Sequence, residues 1–252
     1  MRAQVIAAGV VMGLVFGDFA DTTWWKGADG AYLNDAANWD GDAPFKGVSA
    51  NDMGFGDIPS SAYTVRLSNN LVCAGMWRFV SKPITLTWDL DGYALTYLKP
   101  YADHEHGGFT NVIRNGTIAF TNETGQIQEA RFWSANNGAA VFFRNAGFVG
   151  NFAFTDNGTK ALEVTDGTKW QGSLEIYGSG SRGLVSGDGT LVDLRGDRAD
   201  SWEDRWGVRL NVGGEGDRAK LEILDGAIVT NGTWLGVGLA KTGAMLLEQE
   251  RL

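Results

Sequence analysis

The chain has 252 residues, 44% of them hydrophobic and 20% charged, with a formal net charge of −9 at pH 7. That supplies one large core or two small ones and excludes a disordered chain, while the negative charge works against a nucleic-acid partner. Gly is abundant at 36 and Pro scarce at 4, a composition for many short strands joined by tight turns. Residues 1–20 read as a secretory signal peptide: Arg2 gives a positive start, and Val5–Phe16 is an apolar run of 12, too short for a bilayer-spanning helix. Cleavage after Gly17 fits better than after Ala20, which would put charged Asp18 at the −3 position. The expected address is therefore secreted or on the outer cell surface of a bacterium. Cys73 is the single cysteine; it excludes a disulfide framework and reads as a small core side chain.

Residues 21–109 form a Trp- and Gly-rich N-terminal cap followed by the first strands. Trp24, Trp25 and Trp39 stand among Gly, Asp and Asn, as in loops pinned by large aromatic anchors. The order W-x-G at Trp25–Gly27, N-D-A-A-N-W at Asn34–Trp39, a proline, then G-F-G-D at Gly54–Asp57 resembles the N-terminal segment of secreted bacterial β-solenoid proteins with autotransporter-associated β-strand repeats. Ala62–Leu67, Leu71–Phe79 and Ile84–Trp88 read as strands and are similar to that group too. The resemblance covers roughly the first 65 residues after the leader. It implies a right-handed parallel β-helix with a structural or adhesive role at the cell surface, without catalysis.

Residues 110–252 read as solenoid coils. Turn signals fall at Asn115-Gly116, Asn145-Ala146-Gly147, Asp166-Gly167, Asp188-Gly189 and Asp225-Gly226, spaced 30, 21, 22 and 37 residues apart. Leu162–Gly167 (LEVTDG) repeats as Leu221–Gly226 (LEILDG), displaced by 59. Such a quasi-period fits units that bury their apolar faces only by stacking. Ile118, Phe120, Phe152, Phe154, Leu162, Val164, Leu174, Ile176, Leu191, Leu221 and Ile223 are the expected core. The alternative is an antiparallel β-sandwich or jelly roll. Lys241–Leu252 reads as the opening of a further coil, so the chain is expected to continue in a longer protein.

Several stretches invite a chemical reading. Gly178–Gly183 spells G-x-G-x-x-G, but strand and turn signals follow it where a dinucleotide site needs a helix. Gly213–Asp217 approaches a calcium-binding nonapeptide, with the aspartate one place early and only one copy. No cofactor is expected, although Asp40, Asp42, Asp52 and Asp57 could supply an oxygen-rich calcium site in the N-terminal loops. Asp103, His104 and His106 carry metal-ligand chemistry. Gly187–Arg209 gathers the most charge: Asp193, Arg195, Asp197, Asp204 and Arg205 could serve a polysaccharide lyase or hydrolase, and Trp202 and Trp206 could stack on sugar rings. Against each stands a solvated loop whose ion pairs contribute little. Asn115, Asn122, Asn157 and Asn231 head N-x-T triplets, three of them Asn-Gly-Thr and accounted for by turn chemistry. The favoured expectation is a non-enzymatic, exported surface segment that meets surface glycans or copies of itself, with no nucleic-acid partner and no membrane span. A carbohydrate-active enzyme or carbohydrate-binding module is the alternative.

Overall fold

The structure, a computed structural model, describes residues 22–45, 52–55, 62–73, 77–79, 84–98, 101–104, 110–134, 138–155, 159–178, 180–194, 209–213, 219–230, 234–237 and 244–247. The first three strands are β1 (Thr22–Trp25), β2 (Ala31–Tyr32) and β3 (Trp39–Asp40). Three-strand units follow: β4 (Asp52–Phe55), β5 (Ala62–Arg66), β6 (Leu71–Cys73); then β7 (Trp77–Phe79), β8 (Thr85–Asp89), β9 (Ala94–Tyr97). Next come β10 (Tyr101–His104) with the long β11 (Thr110–Phe120), and β12 (Glu129–Ser134) with the long β13 (Ala139–Val149). The series continues as β14 (Asn151–Thr155), β15 (Lys160–Thr165), β16 (Lys169–Gln171); β17 (Leu174–Ile176), β18 (Arg182–Ser186), β19 (Leu191–Asp193); and β20 (Arg209–Val212), β21 (Lys220–Leu224), β22 (Ile228–Thr230). It runs out through β23 (Trp234–Val237) and β24 (Ala244–Leu247).

The fold is all-β and its sheets are parallel. The first strand of each unit joins sheet A, ordered β23-β20-β17-β14-β12-β10-β7-β4-β1-β3. The second strand joins sheet B along β2-β5-β8-β11-β13-β15-β18-β21-β24. The third builds another ladder on sheet B, β6-β9-β11-β13-β16-β19-β22, which uses the C-terminal halves of the two long strands. Each strand thus pairs with its counterpart in the next unit rather than with its sequence neighbour. Among the described residues only the β1–β3 ladder and two isolated bridges are antiparallel, so the hairpin ladders of an antiparallel sandwich do not occur there. The strands bearing Leu162 and Leu221 lie in one sheet, on either side of β18, where Leu162 aligns with Gly183 and Gly183 with Leu221. The displacement of 59 is therefore two steps of the ladder.

Strand alternation sends every second side chain inward, and the parallel register stacks these into columns. Val65, Trp88, Ile113, Phe143, Val164, Val185 and Ile223 follow one another in register, all of them buried except the partly buried Ile223. A second column runs Leu71, Leu95, Ile118, Phe148, Trp170, Val192 and Val229. Where the columns meet, aromatic rings interlock: Phe148 and Trp170 centroids are 3.9 Å apart, with Phe143 at 5.2 Å and Phe152 at 5.4 Å from Trp170. Trp88 Nε1 donates to the buried Asn111 Oδ1 at 3.0 Å, so this polar side chain is satisfied inside the core.

Most of the expected core residues are buried, and two differ. Leu191 is half-exposed because the adjacent Val192 takes the inward column, while Leu191 shares an outward one with Lys169 and Ile228. Ile223 is only partly buried. The stretch Leu71–Phe79, expected as one strand, is two, with β6 in sheet B and β7 in sheet A.

At the N-terminal side the tryptophans divide by alternation. Trp25 and Trp39 are buried with centroids 5.1 Å apart, and both meet Phe55. The Trp25 ring lies where a Cβ on Gly27 would sit, which is why W-x-G needs its glycine. Trp25 Nε1 donates to the Tyr63 hydroxyl at 3.0 Å, which in turn donates to the Gly27 carbonyl. Asp35 caps the short 3₁₀ turn Ala36–Asn38 through its side chain, and Trp39 Nε1 donates to the Leu33 carbonyl at 2.8 Å.

Phe148→Ala opens a cavity in the aromatic column and should cost about 3–5 kcal/mol, whereas Leu191→Ala on the outward column should cost under about 1 kcal/mol. Denaturant midpoints of the two variants measure the contrast; equal losses would contradict this register.

Candidate functional site

One corner of the chain concentrates the unusual backbone. Asp91, Asn115, Asn145, Asp166 and Asp225 have φ of 50°, 56°, 49°, 57° and 53°, and they are the non-glycine residues with positive φ among those described. All five sit between the two sheet-B ladders. Left-handed φ is unfavourable for most L-residues, and Asp and Asn bear it best after glycine because their short side chains bond locally. At Asp91, Asp166 and Asp225 the next residue is a left-handed glycine, and the strand breaks. At Asn115 and Asn145 the kink is one residue wide, so β11 and β13 run through it for 11 residues each.

Side chains tie this corner from unit to unit. Asn145 Nδ2 donates to Asn115 Oδ1 at 3.2 Å, and Asn115 Nδ2 to Asp89 Oδ1 at 3.0 Å. Arg114 donates through Nε and Nη2 to Asp89 Oδ2 at 3.0 and 2.8 Å. Arg66 pairs with Asp91 at 2.8 Å and Arg144 with Glu163 at 3.1 Å. Just inside, the buried Thr168 hydroxyl donates to the Thr165 carbonyl at 2.6 Å and accepts from Ala146 N–H at 3.2 Å. Thr190 does the same between Ser186 and Gly167. In these two turns the third residue of Asp-Gly-Thr is thus a bridge between units, whereas at Asn115 the leading side chain forms it. Partial burial pulls the Asp89 carboxyl up, but the hydrogen bonds from Asn115 and Arg114, with the Arg114 charge, hold it below the usual carboxylate value. The arrangement orders a surface from unit to unit.

The charged Gly187–Arg209 stretch is placed by its two ends. Asp193 closes β19 on an outward column with Gln171 and Thr230, and accepts a hydrogen bond from Thr230 Oγ1 at 3.0 Å. Arg195, Asp197, Trp202, Asp204, Arg205 and Trp206 lie outside the described residues. The connection they belong to runs from sheet B into sheet A and is 15 residues long (194–208), where the preceding units use Gly150 alone and Gly172-Ser173. The strand it enters, β20, pairs with β17, on which Glu175 is 6% exposed despite an outward position in register with Ala153 and Asn211. Tyr177 donates its hydroxyl to Glu175 Oε2 at 2.7 Å. Neither residue figured among the sequence candidates; the only available sign was a glutamate between two core residues in Leu174–Ile176.

Asp103 and His104 are consecutive in β10, Asp103 in register with Arg78 and Trp133, and His104 with Phe79 and Ser134; His106 lies outside the described residues. Asp40 and Asp42 are exposed, Asp52 opens β4, and Asp57 lies outside. No three His, Cys, Asp or Glu side chains converge among the described residues. Gly183 of the G-x-G-x-x-G stretch lies in β18, where the Ile176 side chain fills the space of its missing Cβ. Of Gly213–Asp217, Gly213 alone is described. Asn122 Oδ1 accepts from the Thr124 and Gln126 N–H groups at 3.0 and 2.9 Å, a local turn; Asn157 and Asn231 lie outside. Cys73 is buried and its thiol is pushed far up by that burial, which leaves it unreactive. Comparison of the chain with protein-family models, curated proteins and solved structures finds no match.

Asn145→Gly should leave stability nearly unchanged, while Asn145→Val should cost about 1–2 kcal/mol for the left-handed backbone; thermal melts compare them. Because the folded Asp89 carboxyl titrates below its unfolded value of about 3.9, its stabilising contribution is complete above that pH and is lost as pH falls through the folded value. Asp89→Asn should therefore differ from the parent at pH 6 and converge with it near pH 2, read from denaturant midpoints; a gap that persists in acid would contradict the assigned bonds.

Proposed function

We propose that the chain is a right-handed parallel β-helix with a Trp-rich N-terminal cap, exported as a non-enzymatic structural or adhesive segment of a bacterial cell-surface or autotransporter-like protein. The observation that carries this reading is the unit-to-unit pairing: three ladders advance together over an apolar core, as the stacked coils of a column would. Such a column lengthens by adding units and keeps its cross-section, the property of a stalk or display surface. The cap reading draws support from β3, which lies antiparallel along the outer edge of β1, and from Phe45, whose bridge to Cys73 meets the outer edge of β6. Export rests on the leader-like residues 1–20; the lone Cys73 fits a bacterial envelope protein better than an animal extracellular module.

Expression of the whole chain in a Gram-negative host tests the proposal. The exported product should begin after Gly17 or Ala20 by N-terminal sequencing, and it should leave a panel of polysaccharides undegraded. Cytoplasmic retention with Met1 intact would overturn the export reading. Polysaccharide cleavage that Asp193→Asn abolishes would overturn the non-enzymatic one.

A further inference from the structure

The paired tryptophans of β1 point to opposite sides of sheet A, and only one is needed by the core. Trp25 is buried among Trp39, Phe55 and Tyr63. Trp24 lies on the outer face, half-buried, in register with Gly54 of β4. Its Cε3 and Cζ3 atoms stand 2.4 and 2.7 Å from where a Cβ on Gly54 would be, and Thr22 Cγ2 stands 2.6 Å from the same point. Gly54 is thus a seat for the indole: the ring is held against the backbone of the neighbouring strand while part of it stays in contact with solvent. On its other flank Trp24 is in register with Asp40 of β3, and Asp40 and the adjacent Lys26 are both exposed.

We propose that this outer face of sheet A binds a neutral polysaccharide, with Trp24 as the fixed stacking platform and Asp40 and Lys26 as hydrogen-bonding partners for sugar hydroxyls. The inference rests on the adhesive reading above and gives it a location and a ligand class. An indole offers a rigid apolar plane of the kind that the C–H face of a pyranose covers, and its position is set in advance by Gly54, so little freedom is lost on binding. Beside Lys26 and Asp40 stands the exposed Asp42, so the described charge at the site is net acidic, on a chain of net charge −9; that favours a neutral chain over a uronate or sulfated one.

The test is a pull-down and depletion isotherm of the whole exported chain on insoluble cellulose, xylan and chitin, with sulfated dextran beads as the anionic comparison. The parent should bind at least one neutral polymer and not the sulfated one. Trp24→Ala should weaken that binding at least about 10-fold, and Trp24→Tyr, which keeps a ring, should stay within about 3-fold. Asp40→Ala, at an exposed position that leaves the packing intact, should weaken binding with an unchanged thermal melt. Binding to a neutral polymer that is indifferent to Trp24→Ala would overturn the site while leaving the adhesive reading in place. A parent that binds none of the neutral polymers, or only the sulfated one, would overturn the ligand class, and the N-terminal sequencing of the exported product judges the export reading separately.

Discussion

Parallel stacking of inward side chains is the interaction on which the rest of this structure depends. No single three-strand unit has enough apolar surface to close on itself; each covers the exposed ends of the columns left by the unit before it. The clearest case is the cluster of Phe143, Phe148, Phe152 and Trp170, drawn from β13, β14 and β16 and from both sheets. A polar group in the core needs a partner there, and Asn111 finds one diagonally across the ladder in Trp88, whose own register neighbour is Ile113. A glycine can enter only if a neighbour fills its place, as Ile176 does for Gly183.

Parallel stacking needs the units to turn alike at this corner, and at five of the corners a left-handed Asp or Asn does this, while Gly187 is left-handed between β18 and β19. The φ values of the five Asp and Asn residues fall within a few degrees of one another although the intervening chain varies in length. Since the corner residues are in register, their side chains can also bond along the column, so one residue type both makes the turn and joins it to the next. The ion pairs beside them, Arg66 with Asp91, Asp89 with Arg114 and Arg144 with Glu163, are solvent-facing and individually modest. Their value lies in favouring the correct register over a slipped one, because a one-residue slip would exchange the inward and outward sets.

Away from these corner bonds, the outward side chains of such stacked strands are free of core packing. Variation is therefore tolerated on the connections, and the 15-residue passage from β19 to β20 is where this chain uses that tolerance most among its described elements. The outer face of sheet A carries features that core packing does not require: Glu175 with its Tyr177 partner beside that passage, and Trp24 seated on Gly54 at the opposite end.

The sequence by itself determined the strand-and-turn character and the size of the step. The turn residues are 30, 21, 22 and 37 apart, and the ladder advances by 30, 21, 21 and 38 from Ile113 through Phe143, Val164 and Val185 to Ile223. That much is written in residue type, because a left-handed corner admits few side chains. The charged stretch 187–209 was also legible as lying within the longest step between turn signals. Which face each residue occupies was decided only by the tertiary structure. Trp24 and Trp25 are identical neighbours on opposite sides of one sheet, Leu191 yields the core to Val192, and Leu71–Phe79 divides between two sheets. Glu175, between two core residues in the sequence, is buried on the outer face. The reason is the same in each case: inward and outward are properties of a strand's pairing register, and that register is set by a partner 20 to 40 residues away rather than by the local sequence.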